Sequence, residues 1–188
     1  LKNMKRYISL LIILCCFGPA GLHAGTADFP QLYKQLEQVL AQRQTTALHK
    51  ENRIDSIRRL IHPNLSASTL YQLYNQIFEE YYVYRSDSAL YYVDLAEKTA
   101  NRLNDIQKQQ QCIINRSLQL ATIGYFSQAL EQLNGIERAR VDSTMLLNYY
   151  TAFEWVYSVW SEYSNDDVYA PQFRKKEILY NDSMLQVL

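Results

Sequence analysis

From residue 28 onward, apolar side chains return at intervals of three and four, the period of a helix with one buried face. Leu32, Leu36, Val39 and Leu40 form one stripe, and Ile54, Ile57 and Ile61 resume it after a polar stretch. Asp28 is placed to cap this helix and Pro30 suits its first turn. His62-Pro63 ends it. The spacing predicts one long helix within 25–65, thinly apolar in its middle. Two readings fit equally well: a coiled-coil arm, or a bent or broken helix packed on its neighbours.

Residues 66–188 repeat a helix–turn–helix theme. Ser66 or Ser68 caps a helix carrying Leu70, Leu73, Tyr74, Ile77, Phe78 and Tyr81. A turn at Tyr84-Arg85-Ser86 follows, and Asp87 opens a helix with Ala89, Leu90, Val93, Ala96, Ala100 and Leu103. Asp105 leads into Ile113, Ile114, Leu118, Leu120 and Ala121. Gly124-Tyr125-Phe126 turns the chain, and Ser127 caps a short helix with Ala129, Leu130, Leu133 and Ile136. Beyond a polar linker, Met145, Leu146, Tyr149, Tyr150, Phe153, Val156, Tyr157 and Trp160 mark another helix. Ser164-Asn165-Asp166-Asp167 breaks it, and Pro171 opens the last one. That helix is still apolar where the sequence stops at Leu188, which reads as a truncated repeat.

The second and third blocks each run about 34–36 residues, the tetratricopeptide (TPR) period. In SDSALYYVDLAEKTA and GYFSQALEQLNGI, alanine (Ala89, Ala129) sits just inside the second helix, and Gly124 precedes Ala129 by five. The signature tryptophan and Leu-Gly pair are missing, so the repeat is degenerate. One helix pair cannot cover its own apolar face and must stack on the next. The expected fold is all-α, a TPR-like α-solenoid of antiparallel helix pairs.

The front of the chain reads differently. Met4-Lys5-Arg6 is basic, Tyr7–Phe17 is apolar apart from Ser9, and small residues follow up to Ala24. This is the layout of a secretory signal, residues 1–24, and its apolar run is too short to span a bilayer. Cys15 and Cys16 raise lipidation, but Leu14 or Cys15 stands where a small residue normally precedes a lipidated cysteine. Cleavage after Ala24 removes Lys2, Lys5 and Arg6 from nineteen basic residues, leaving sixteen against nineteen acidic. Cys112 alone then remains, which leaves no intrachain disulfide and no cysteine metal site.

Composition narrows function by exclusion. Of 188 residues, 48% are hydrophobic and 20% charged, too apolar for disorder and too polar for several membrane spans. A net charge of zero argues against direct nucleic-acid binding. His23, His49 and His62 have no second ligand at metal spacing. No glycine-rich loop is present to cradle a phosphate, and Cys112 has no nearby histidine. The pairs Glu79-Glu80 and Asp166-Asp167 read as solvated surface. Adjacent helix residues point about 100° apart and cannot flank one bond. Neither a catalytic residue, a metal nor a cofactor is expected.

Sixteen tyrosines are the unusual feature, crowded in the second and fourth blocks. Helical spacing sends many into the inter-helix core. The others are placed to line a groove, where a ring offers apolar area and a hydroxyl. Tyr71, Asn75 and Tyr82 are the candidate contacts of such a groove.

The segments LYKQLEQVLAQRQ…KENRIDSIRRL, LYQLYNQIFEEYYVYRSDSALYYVDLAEKTANRLND, GYFSQALEQLNGI and YAPQFRKKEILYNDSML resemble the N-terminal half of a family of bacterial membrane-tethered regulators, catalogued as a domain of unknown function. The resemblance covers about 28–188 and is strongest at Asp87–Tyr92 and Tyr180–Ser183. It implies an exported repeat domain followed by one transmembrane helix, a cytoplasmic coiled coil and a LuxR-like helix-turn-helix. This chain would then be the periplasmic sensing or partner-binding half, taking a protein or peptide, with its membrane helix and DNA-binding half beyond Leu188. A homodimer stays open. The rival reading is a free-standing periplasmic scaffold or a glycan-capture helical lipoprotein.

Overall fold

The computed structural model describes residues 29–188. The expected signal, Cys15, Cys16 and the cap at Asp28 lie outside the described residues. Among those residues are seven α-helices, one short 3-10 turn and no strand: α1 (Phe29–Arg58), α2 (Ala67–Tyr81), α3 (Ser86–Leu103), α4 (Ile106–Thr122), α5 (Phe126–Asn134), the 3-10 turn (Arg138–Arg140), α6 (Ser143–Ser164) and α7 (Ala170–Leu185). The fold is all-α and TPR-like.

Two compact units divide the chain, residues 1–47 and 48–188. The described part of the first is the front of α1, where Phe29, Leu32, Leu36, Val39 and Leu40 are exposed. α1 itself is unbroken and stops at Arg58, short of His62-Pro63.

The second unit begins with the back of α1. Ile54 is fully buried there, and Ile57 and Ile61 pack beside it against Tyr71, Ile77, Phe78, Tyr81, Tyr92 and Val93. Polar bonds frame this contact. Arg58 donates from Nε to the Tyr92 hydroxyl at 3.2 Å and from Nη2 to the Tyr81 hydroxyl at 3.1 Å. Arg53 pairs with Glu80 at 3.4 Å.

Three helix pairs follow: α2 with α3, α4 with α5, α6 with α7. Helix α3 rests on α4, and α6 rests on both α4 and α5. The first helix of every pair has a side-chain cap. Ser66, Asp105 and Asp142 accept the N–H groups of Thr69, Lys108 and Thr144 at 3.1, 3.0 and 2.8 Å, which satisfies donors that a helix start otherwise leaves open. The second helices have no such cap: Arg85, Tyr125 and Tyr169 precede them. Asp87 instead lies in the first turn of α3 and holds the Ser88 N–H. Helix exits use left-handed residues, Asn104 after α3, Gly124 near the end of α4 and Asn165 after α6. At Gly124 φ is +89°, a conformation that strains any side-chain-bearing residue even with open space around it.

Most tyrosines do pack inside. Tyr71, Tyr81, Tyr92 and Tyr149 are buried, and Tyr74, Tyr82, Tyr150, Tyr157 and Tyr180 are half-buried against the two cores. Tyr33, Tyr84, Tyr91, Tyr125, Tyr163 and Tyr169 are exposed.

Candidate functional site

The three capped helices, α2, α4 and α6, present side chains to one another at intervals of one repeat. Tyr71 of α2 donates its hydroxyl to the Lys108 carbonyl of α4 at 3.4 Å. Gln107 of α4 donates to the carboxylate of Asp142, the α6 cap, at 3.2 Å. Between them runs a chain of carboxamides. Asn148 of α6 donates to Gln111 Oε1 at 3.4 Å, Gln111 to Asn115 Oδ1 at 2.8 Å, and Asn115 to Asn75 Oδ1 at 3.3 Å. Asn75 closes the relay on the Tyr71 carbonyl at 3.1 Å. Four amides from three helices are thus aligned, donor to acceptor. Each carboxamide offers two N–H donors and two lone pairs; Gln111, Asn115 and Asn75 each donate once and accept once in the relay, and Asn148 donates once.

A cleft of about 280 Å³ opens beside this relay, lined by Tyr71, Gln107, Lys108, Gln111, Thr144, Met145 and Asn148. Its one cation is engaged: Lys108 pairs with Asp105, whose carboxyl is held below its ordinary range chiefly by that bond, and lies 5.6 Å over the Tyr71 ring. Tyr71 is only 8% exposed. Burial, with Cys112 beside it, holds its hydroxyl well above the usual phenol range. Burial likewise pushes the Cys112 thiol up to about 12, so at neutral pH it is a protonated, apolar core group.

The sequence-derived candidates are therefore distributed. Tyr71 lines the cleft, Asn75 ends the amide relay, and Tyr82 is the residue that closes the end of α2. The Tyr82 ring is half-buried, 5.6 Å from that of Phe78, and Thr122 of α4 bonds its hydroxyl. Gln111, Asn115 and Asn148 escaped the sequence reading, because an amide on a helix surface looks like any solvated position. The available signal was recurrence: polar amides at 75, 111 and 148 keep nearly the repeat period.

Two other concavities carry less. One of about 390 Å³ is walled by Arg58, Arg85, Asp87, Tyr91 and Tyr92, but Asp55 and Glu51 answer its cations. The other, about 460 Å³, follows the turn from α6 to α7 around Asp166 and Arg174. Asp166 spends its carboxylate on the N–H groups of Val168 and Tyr169. Among the described residues, no group of three or more His, Cys, Asp and Glu is placed to hold a metal ion. No described helix is long and apolar enough to cross a membrane.

Residues 40–188 match the family model described as the SusR N-terminal TPR domain. No curated protein and no solved structure matches the chain.

Proposed function

The chain belongs to the SusR N-terminal TPR domain family, and from that premise we propose that it is the exported sensing half of a membrane-anchored transcriptional regulator. The established part is narrower: this is a TPR-like, all-helical protein-interaction domain. The further steps rest on the signal-like start and on the regulators that the sequence resembles. The observation that carries the proposal is the family match over 40–188, which covers the whole helical array from the back of α1 to α7.

The site fits a role in holding rather than converting. Its polar atoms are neutral amides, its cation is neutralised, and its thiol is buried and protonated. In this reading a protein or peptide bound across α2, α4 and α6 fixes the spacing of successive pairs. A membrane helix beyond Leu188 then passes that change to a DNA-binding part on the other side.

Two measurements test it. Reading the gene past codon 188 is expected to reveal an apolar run of about twenty residues and then a helix-turn-helix. Protease added to intact spheroplasts is expected to cut an epitope placed at residue 188. An open reading frame lacking any such run, or an epitope protected from protease, would sink the proposal.

A further inference from the structure

We infer that the front of α1 is a self-association surface, along which two copies of this chain pair antiparallel about a two-fold axis at Leu36. The inference stands apart from the regulator reading above and uses only residues 29–43.

Phe29, Leu32, Tyr33, Leu36, Val39 and Leu40 are each 49–65% exposed. At one turn of about 100° per residue they fall in a single stripe roughly 120° wide, the width a helix normally buries. Helices in proteins owe most of their stability to packing such a face, and this one meets solvent. Half-exposed side chains of this size offer about 100 Å² each, so two stripes pressed together bury about 1,200 Å², the lower bound of a stable, specific interface.

The order of residues along the stripe selects a second copy as its occupant. A two-fold contact sets residue i against j and j against i. With Leu36 on the axis, Leu32 meets Leu40 and Tyr33 meets Val39, each pair equidistant from position 36. Phe29 and Arg43 are equidistant too, so the one cation within the stripe meets an aromatic ring in each half. In the same register Glu37 meets Gln35, and no like charges oppose. A parallel pair instead sets Arg43 against Arg43 in the seam. A lipid surface fits less well. A helix lying on a membrane gathers Lys and Arg on its polar face, whereas the charges of 29–47 are Lys34, Glu37 and Arg43, the last inside the apolar stripe.

The test weighs the whole chain by sedimentation equilibrium over about 1–100 µM. A monomer–dimer equilibrium in that range is expected. Leu36→Lys, at an exposed position, is expected to weaken it about a hundredfold and to leave the urea midpoint of the helical array unchanged. Orientation is read by crosslinking in a chain carrying Cys15→Ala and Cys16→Ala, where the buried Cys112 stays out of the reaction. Under mild oxidation Leu36→Cys is expected to form a covalent dimer, as is Phe29→Cys mixed with Arg43→Cys. Arg43→Cys alone is expected to stay a single chain, because its two copies lie about 21 Å apart along the antiparallel pair. A chain that is monomeric throughout overturns the inference, as does a dimer indifferent to Leu36→Lys. Self-crosslinking of Arg43→Cys overturns the antiparallel register. A monomer that sediments with phosphatidylcholine–phosphatidylglycerol vesicles, and ceases to with Leu36→Lys, gives the stripe to a membrane instead and also overturns it. The two proposals fail separately. A dimer whose gene encodes no membrane span removes the regulator and keeps the pairing. A tethered, exported chain that stays monomeric does the reverse.

Discussion

The first and last helix pairs solve one packing problem with different proportions of the same materials. Between α2 and α3 small residues, Ala89, Ala96 and Ala100, are fully buried beside Val93, and Tyr92 stacks on Tyr81 at 5.9 Å. Between α6 and α7 the space is filled by rings. Phe153 stacks on Tyr180 at 4.6 Å, Trp160 on Phe173 at 4.2 Å, and Tyr157 on Tyr180 at 5.8 Å. In α7, Phe173 stands where Ala89 and Ala129 stand in α3 and α5, three residues into the helix. An alanine occupies little of the space between two helices, whereas a ring supplies its own area and stacking. Degeneracy of the repeat is thus an exchange of small side chains for aromatic volume, with the pairing scheme and the backbone approach preserved.

The contrast can be broken most strongly in the aromatic pair. Phe153→Ala, at a residue 1% exposed, is expected to cost about 3–5 kcal/mol, read as a lowered urea midpoint. Overpacking the alanine pair with Ala96→Leu is expected to cost about 1–3 kcal/mol on the same titration. A loss from Ala96→Leu as large as that from Phe153→Ala would mean that the first pair has no more slack than the last. Next in size is the cap of the first pair, Ser66→Ala, at about 1 kcal/mol by thermal melting, with no change as pH falls.

Acid sharpens the comparison. The last pair is capped by Asp142, whose carboxyl is held below its ordinary range by bonds from Thr144. Its contribution is present above the unfolded value of 3.8 and disappears as pH falls through the lower folded value. As pH falls below 3.8 the Asp142→Ala difference is therefore expected to shrink, and to vanish below the lowered folded value, while that of Ser66→Ala stays. The smallest effect is opposite in sign. Burial, and then the charge of Glu177, raise the Glu154 carboxyl, with Asn181 partly offsetting them. The fold favours its protonated form, so ionisation destabilises the folded state as pH climbs from 4.5 through the folded value. Glu154→Gln is expected to raise the melting temperature at pH 7 by about 1 °C and to leave it unchanged at pH 4.

Much of this architecture was legible because its determinants are local. Ser66, Asp105 and Asp142 are capping residues directly ahead of periodic apolar runs, and Gly124 marks a turn that requires positive φ. Local chemistry was less decisive at the second helices. Asp87 and Ser127 read as caps, yet Arg85 and Tyr125 hold those positions, since a tight turn from the preceding helix leaves little for a cap to do. The long N-terminal segment offered two readings, and only packing shows that Ile54 and Arg58 at its back end join the first pair. Non-local facts were invisible. Gln119 is fully buried, and neither of its amide atoms has a hydrogen-bond partner, against the rule that buried polar groups are paired. The amide relay escaped for the same reason: its members lie 37 and 40 positions apart, and nothing in a local window links them.

The enclosed thiol of Cys112 on α4, packed with Tyr71 and the first pair, makes the molecule its own reporter of opening. A maleimide can reach that sulfur only when α4 parts from α2 and α3. In a chain carrying Cys15→Ala and Cys16→Ala, the alkylation rate counts those separations. Anything that ties α2 to α4 slows the count, so occupancy of the cleft becomes visible as a chemical half-life.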